Sequence, residues 1–168
     1  MPVERRSSPN STPGRGGQRT RGVVLHTSVG SAAGTLGWFA RPESGVSAHF
    51  VVGLDGALFS VVAEEDTARH AGRPHQPTAS FLHDGVDPNE VTIGIEFVDD
   101  GDPQGVRRPD AQYTTGAELL WVLGLRWSIP LDRDHVVGHR EIDSTQSCPG
   151  NLDIDRLLRH ATNLTVDP

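Results

Sequence analysis

The sequence predicts an α/β fold, a single domain whose mixed central β-sheet is flanked by helices. Three observations carry this. β-rich runs are interleaved with one long amphipathic helical segment, two of those runs hinge on an Asp-Gly dipeptide, and a third alternates apolar with small or polar residues. The chain has 168 residues, the length of one domain able to bury a core without disulfides.

The first strand is expected at Val23-Val24-Leu25-His26-Thr27, a β-branched run punctuated by Ser28, Gly30 and Ser31, which sets His26 near a strand's end. Ala32 to Ala40 reads as a short helix weakened by Gly34 and Gly37 and stopped by Pro42. Ala48 to Leu54 and Ala57 to Val62 form a hairpin across Asp55-Gly56, a pair that supplies the positive φ angles of a tight turn. From Arg69 to Asn89 the chain is rich in Pro, Gly, Asp and His without periodicity. A loop of that length in a compact domain usually borders a functional cleft.

In the run Val91 to Val98, Ile93, Ile95 and Phe97 point one way while Thr92, Gly94 and Glu96 point the other. Glu96 therefore leaves the apolar face of a central strand. Ala111 to Trp127 places Tyr113, Ala117, Leu120, Leu123 and Trp127 at helical spacing, with Asp110 as the expected N-cap and Pro130 beyond the end. His135 to Gly138 reads as a short strand, Arg140 to Gly150 as a loop, and Ile154 to His160 as a terminal helix.

Composition narrows the function. The formal charge is −7, and no basic cluster interleaved with aromatics appears, which argues against nucleic acid and anionic membrane as partners. The longest apolar runs, such as Val23 to Leu25 and Phe50 to Val52, are far short of the roughly 20 residues of a membrane span. Met1 to Arg21 holds arginines among Ser, Pro and Gly with no apolar h-region. It reads as a flexible arm and not as a secretory signal, so a cytoplasmic protein, or one released by another route, is expected.

A single cysteine, Cys148, stands beside eight histidines. Catalytic zinc commonly takes three ligands from His, Cys, Asp and Glu and keeps a fourth position for water. His26, His139 and Cys148 fit that trio, with Cys148 held at a corner by Pro149 and Gly150. The spacing alone leaves His135, His49 and His70 as rivals.

Taken together, Val24-Leu25-His26-Thr27, the segment SAHFVVGLDGALFSVV from Ser47 to Val62, His70-Ala71-Gly72, NEVTIGIEF from Asn89 to Phe97, VVGHRE from Val136 to Glu141 and CPG from Cys148 to Gly150 resemble the type-2 N-acetylmuramoyl-L-alanine amidases. That family includes phage lysins, cytosolic muropeptide amidases and animal peptidoglycan recognition proteins. The resemblance covers about residues 22 to 160 and implies a zinc amidase domain over 22–168, its Zn2+ at the sheet edge of a cleft. It implies that His26, His139 and Cys148 are the ligands, selecting His139 over His135. It further implies that Glu96 of IGIE is catalytic, that His70 of HAG lines the cleft and touches substrate, and that the substrate is peptidoglycan or a muropeptide, cut between N-acetylmuramic acid and L-alanine.

Two departures from the family bear on mechanism. Ala48 precedes His49 where many lysins have tyrosine, which favours Glu96 as the catalytic base. Gln146 stands where lysine or threonine often supports the oxyanion; its amide can donate a hydrogen bond but brings no charge. Gln146 is thus the second candidate catalytic residue, with Thr145 beside it. Trp121 and Trp127 read as core and Trp38 as core or sugar platform, while His75, His83 and His160 read as surface. The rival reading is a peptidoglycan-binding module of the same fold without turnover, against which the intact His-His-Cys trio speaks.

Overall fold

The computed structural model describes residues 2–82, 85–101 and 108–164. Its main sheet has six strands. At one side β3 (Gly22–Val29) lies between β7 (Thr92–Asp99) and the edge strand β8 (Val136–Gly138), all parallel. Beyond β7 lie β4 (Phe50–Val52), parallel to it, and β5 (Leu58–Ser60), antiparallel to β4. The outer strand is β1 (Glu4–Arg5), and a two-stranded ribbon pairs β2 (Ser11–Thr12) with β6 (Thr67–Ala68). The expected hairpin is β4–β5, turning at Gly56 with φ +82.

Helices cover the sheet as the alternation requires. On one face Val23, Leu25, Ile93, Ile95 and Phe97 pack with α3 (Asp110–Trp127) and α4 (Ile154–Thr162) in the largest core cluster. Gly116 on α3 has no room for a side chain, since a Cβ there would lie 2.6 Å from the Phe97 ring. The helix begins one residue earlier than the periodicity suggests: Asp110 is helical and Pro109 takes the cap position without a side-chain bond. On the other face α1 (Ala32–Phe39), capped by Ser31, covers Val51 and Val98. Val24 and Val137 there meet the long segment after β6, which includes α2 (Pro88–Val91).

The segment up to Arg21, expected as a flexible arm, is instead docked on the body. β1 extends the main sheet, and buried Asn10 donates through Nδ2 to the carbonyls of Arg41 and Val46 at 2.8 and 3.1 Å. Arg15 is buried too, donating to the carbonyls of Glu64 and Thr92. Both side chains donate to backbone oxygens of the body, which is why a polar, Arg-bearing stretch is ordered.

Candidate metal centre and catalytic cleft

The parallel strands β3, β7 and β8 deliver the site from their carboxyl ends, where open α/β sheets commonly bind ligands. His26 leaves the α1 face of β3 and is buried. His139 follows β8 directly, in a short 3-10 turn. Cys148 comes from the loop after that turn and is pinned at both its backbone and its thiol: Arg140 N–H donates to its carbonyl at 2.9 Å, and Thr27 N–H to its sulfur at 3.2 Å. Gly138 leaves space for Pro149 to lie on β8, because a Cβ there would overlap the proline ring.

These three residues bring one ligand atom each within 4.8 Å of the others, and they are the one group of this kind found among the described residues. His26 Nδ1 lies 3.9 Å from Cys148 Sγ. Zinc bond lengths of about 2.1 and 2.3 Å at a tetrahedral angle put such atoms about 3.5 Å apart, so the donor set and spacing fit zinc with little movement. His139 Nε2 donates to the Ala71 carbonyl at 3.2 Å, which leaves its Nδ1 lone pair free. Burial, and then His139 beside it, hold His26 well below the ordinary histidine pKa, so its imidazole is neutral and able to coordinate; burial also lowers His139. Burial pushes the Cys148 thiol up to about 11. A metal ion must therefore displace that proton on binding.

Glu96 lines the same cleft, whose volume is ≈ 400 Å³. Its Oε2 is shielded from solvent and has no hydrogen-bond partner among the described residues, and burial raises the carboxyl to about 7. Trp38, 49% exposed, forms part of the opposite wall. A second groove of ≈ 680 Å³ shares Arg69, His70 and His139 with the first, so the cleft continues past the His26, His139 and Cys148 cluster. Gln146 stands at the rim, exposed, its amide in a long 3.4 Å bond to Asp143.

The rival histidines fall out of contention for physical reasons. His135 pairs with Asp132 at 2.7 Å, away from the cluster. His49 accepts from Gly94 N–H through Nδ1 at 2.9 Å and meets the Asp66 carbonyl through Nε2 at 3.1 Å; burial and then the Arg15 guanidinium lower it to about 3. His70, expected to touch substrate, does line the cleft, yet both its ring nitrogens are engaged inside the protein, by His26 at 3.0 Å and Thr92 at 3.3 Å. His75 and His160 are exposed, and His83 lies outside the described residues.

Sequence reasoning missed Arg108. Its guanidinium is buried and donates to Thr27 Oγ1 at 2.8 Å, Asp99 at 3.1 Å and the Val98 carbonyl at 3.1 Å, tying the ends of β3 and β7 together behind Cys148. Asn89 was missed as well; its Oδ1 accepts from the backbone of His70 and Ala71 and fixes the HAG segment. Asn89 opens the NEVTIGIEF motif, whereas Arg108 lies outside every quoted motif and carried no signal.

The family model described as N-acetylmuramoyl-L-alanine amidase matches residues 16–151. The chain belongs to this family. Among curated relatives, the amidase family is represented by N-acetylmuramoyl-L-alanine amidase A of Achromobacter lyticus, 38% identical over 68 residues, which is 40% of this chain and 38% of that protein's length. The aligned part therefore spans well under half of the relative. Solved structures share the amidase fold: AmpD aligns with a TM-score of 0.75 at 22% identity, covering 94% of this chain and 93% of its own. The amidase LysC from Clostridium intestinale aligns at 0.65 and 18%, covering 98% and 99%. A mutant endolysin from Bacillus subtilis gives 0.69 at 19%, covering 96% and 99%. No helix among the described residues is long and apolar enough to cross a membrane.

Proposed function

We propose that the chain is a zinc-dependent N-acetylmuramoyl-L-alanine amidase that hydrolyses the amide between the lactyl carbonyl of N-acetylmuramic acid and the nitrogen of L-alanine. The observation that carries this is the unpartnered, shielded Oε2 of Glu96 in the same cleft as His26, His139 and Cys148. A buried polar atom without a partner costs stability, and catalytic sites are where such a cost is retained.

His26, His139 and Cys148 would hold zinc, which when bound polarises a carbonyl and makes water acidic near neutral pH. Glu96 takes the proton of the attacking water while that water's oxygen bonds to the lactyl carbon. It then returns the proton to the L-alanine nitrogen as the C–N bond breaks, acting as base and then acid. A carboxyl raised to about 7 suits both tasks. Gln146 is a rim amide able to swing from Asp143 toward the developing oxyanion.

Both polymeric peptidoglycan and soluble muropeptides present this bond, so the test uses both. Purified protein of known metal content is incubated with sacculi and with a defined muropeptide, and products are read by mass spectrometry. New L-alanine amino termini without new reducing ends support the proposal. New reducing ends, which a glycosidase makes, overturn it.

A further inference from the structure

We infer that His70 and Thr92 form a hydrogen-bond relay that fixes His26 in the tautomer offering Nδ1 to the metal, making His70 a positioning residue and not a substrate contact. The inference rests on the reading of His26 as a metal ligand. It starts from an atom with no choice of role, the Pro88 carbonyl oxygen, which can only accept. The Thr92 hydroxyl lies 2.6 Å from it and so spends its one proton there.

Each later bond follows from that commitment. Thr92 Oγ1 is left as an acceptor, so His70 Nε2, 3.3 Å away, carries the proton and donates. In a neutral imidazole the other nitrogen is then a lone pair, so His70 Nδ1 accepts from His26 Nε2–H at 3.0 Å. His26 Nδ1 is left deprotonated, on the side of Cys148 Sγ. The ring that transmits this is tightly held: the backbone N–H groups of His70 and Ala71 donate to Asn89 Oδ1, and a Cβ on Gly94 would overlap the His70 imidazole. The His70 ring also meets His26 edge to face, centroids 5.1 Å apart at 82°.

Outer partners of metal-bound histidines set ring orientation and tautomer, and losing one typically costs about 10–100-fold in metal affinity. The relay predicts that pattern for His70 without a matching effect on substrate. Zinc affinity is measured by competition with a chromophoric chelator for the parent, His70→Leu, His70→Gln and Thr92→Val proteins, with circular dichroism as a folding control. His70→Leu should bind zinc about 10–100-fold more weakly. His70→Gln, whose amide can still accept and donate, should recover most of that loss, and Thr92→Val should fall between. A folded His70→Leu that keeps parental zinc affinity while its KM rises would assign His70 to substrate and overturn the relay.

A second readout needs no variant. Imidazole 15N shifts of the metal-free parent should show His26 protonated at Nε2 and His70 protonated at Nε2. Observing His26 as the Nδ1–H tautomer would end the proposal. Zinc affinity and the 15N shifts are both read without turnover, and only the KM comparison uses it, so failure of the amidase assignment and failure of the relay are separable.

Discussion

His26 and Glu96 are direct partners in the parallel register of β3 and β7, so the proposed ligand and the proposed base leave the same face of the sheet one strand apart. Because side chains alternate strictly along a strand, a slip of one residue would send Glu96 into the α3 core and Ile95 or Phe97 into the cleft. The register is held by what lies opposite: Ile93, Ile95 and Phe97 are fully buried against α3 and α4. The catalytic geometry is thus a by-product of the core's apolar pattern.

From this placement, Glu96→Gln should keep fold and zinc but lose about 10²–10⁴-fold in kcat, the range for removing a general acid/base. The parent should show an acidic limb in kcat/KM, since Glu96 must be ionised to accept a proton. Burial alone sets the group at about 7 against an ordinary 4.5, and a bound cation pulls it back toward the lower value. Activity should therefore be lost as pH falls through a value between those two. A limb that persists unchanged in Glu96→Gln would move the base elsewhere.

The three proposed ligands should behave as a unit. His26→Ala, His139→Ala and Cys148→Ala should each reduce both retained zinc, read by plasma mass spectrometry, and hydrolysis of a muropeptide. Chelation of the parent should abolish activity, with recovery on adding zinc. Full metal occupancy in any of the three variants would remove that residue from the set.

Legibility in the sequence followed locality. Strand alternation placed Glu96 on the polar side of β7, and β-branched residues followed by Ser and Gly placed His26 near the end of β3. The partnership of His26 with Cys148, 122 residues apart, is not written in any spacing; only the ordered set of family motifs pointed to it. Arg15 sits among Gly, Pro and Ser in a stretch that reads as a flexible arm, yet the carbonyls that bury it come from Glu64, Glu90 and Thr92 on separate segments. The same holds for His70: its motif marks the cleft it lines, but its ring partners, His26 and Thr92, come from two different strands.

The docked N-terminal segment should matter for stability. Arg15→Met leaves the Glu64 and Thr92 carbonyls short of a donor, and losing hydrogen bonds from a charged group at a buried site costs about 2–4 kcal/mol. For a chain of this size that corresponds to a fall of roughly 5–15 °C in Tm. Calorimetry of Arg15→Met and Asn10→Ala beside the parent checks it, and an unchanged Tm in both would mean that the segment merely rests on the surface.

Gln146 is where the catalytic assignment can be pressed hardest. Its neighbour Thr145 is held by Asp143 through both its hydroxyl, at 2.7 Å, and its backbone N–H, at 2.9 Å, so that hydroxyl is not free to donate elsewhere. Among the described residues the Gln146 side-chain amide has only the 3.4 Å bond to Asp143, and it stands exposed on the cleft rim, so turning it inward sacrifices little. If it donates to the oxyanion, Gln146→Ala should lower kcat, by about tenfold and less than the 10²–10³ of a fully enclosed donor, with zinc content unchanged. Gln146→Lys should hold or raise kcat, because a cation stabilises developing negative charge more than a neutral amide does. Asp143 will compete for that ammonium, so the gain should be larger in Gln146→Lys combined with Asp143→Asn. Kinetics on one soluble muropeptide separate this from a rim residue without a role: if the Ala and Lys variants both match the parent, the oxyanion donor must be sought in the backbone.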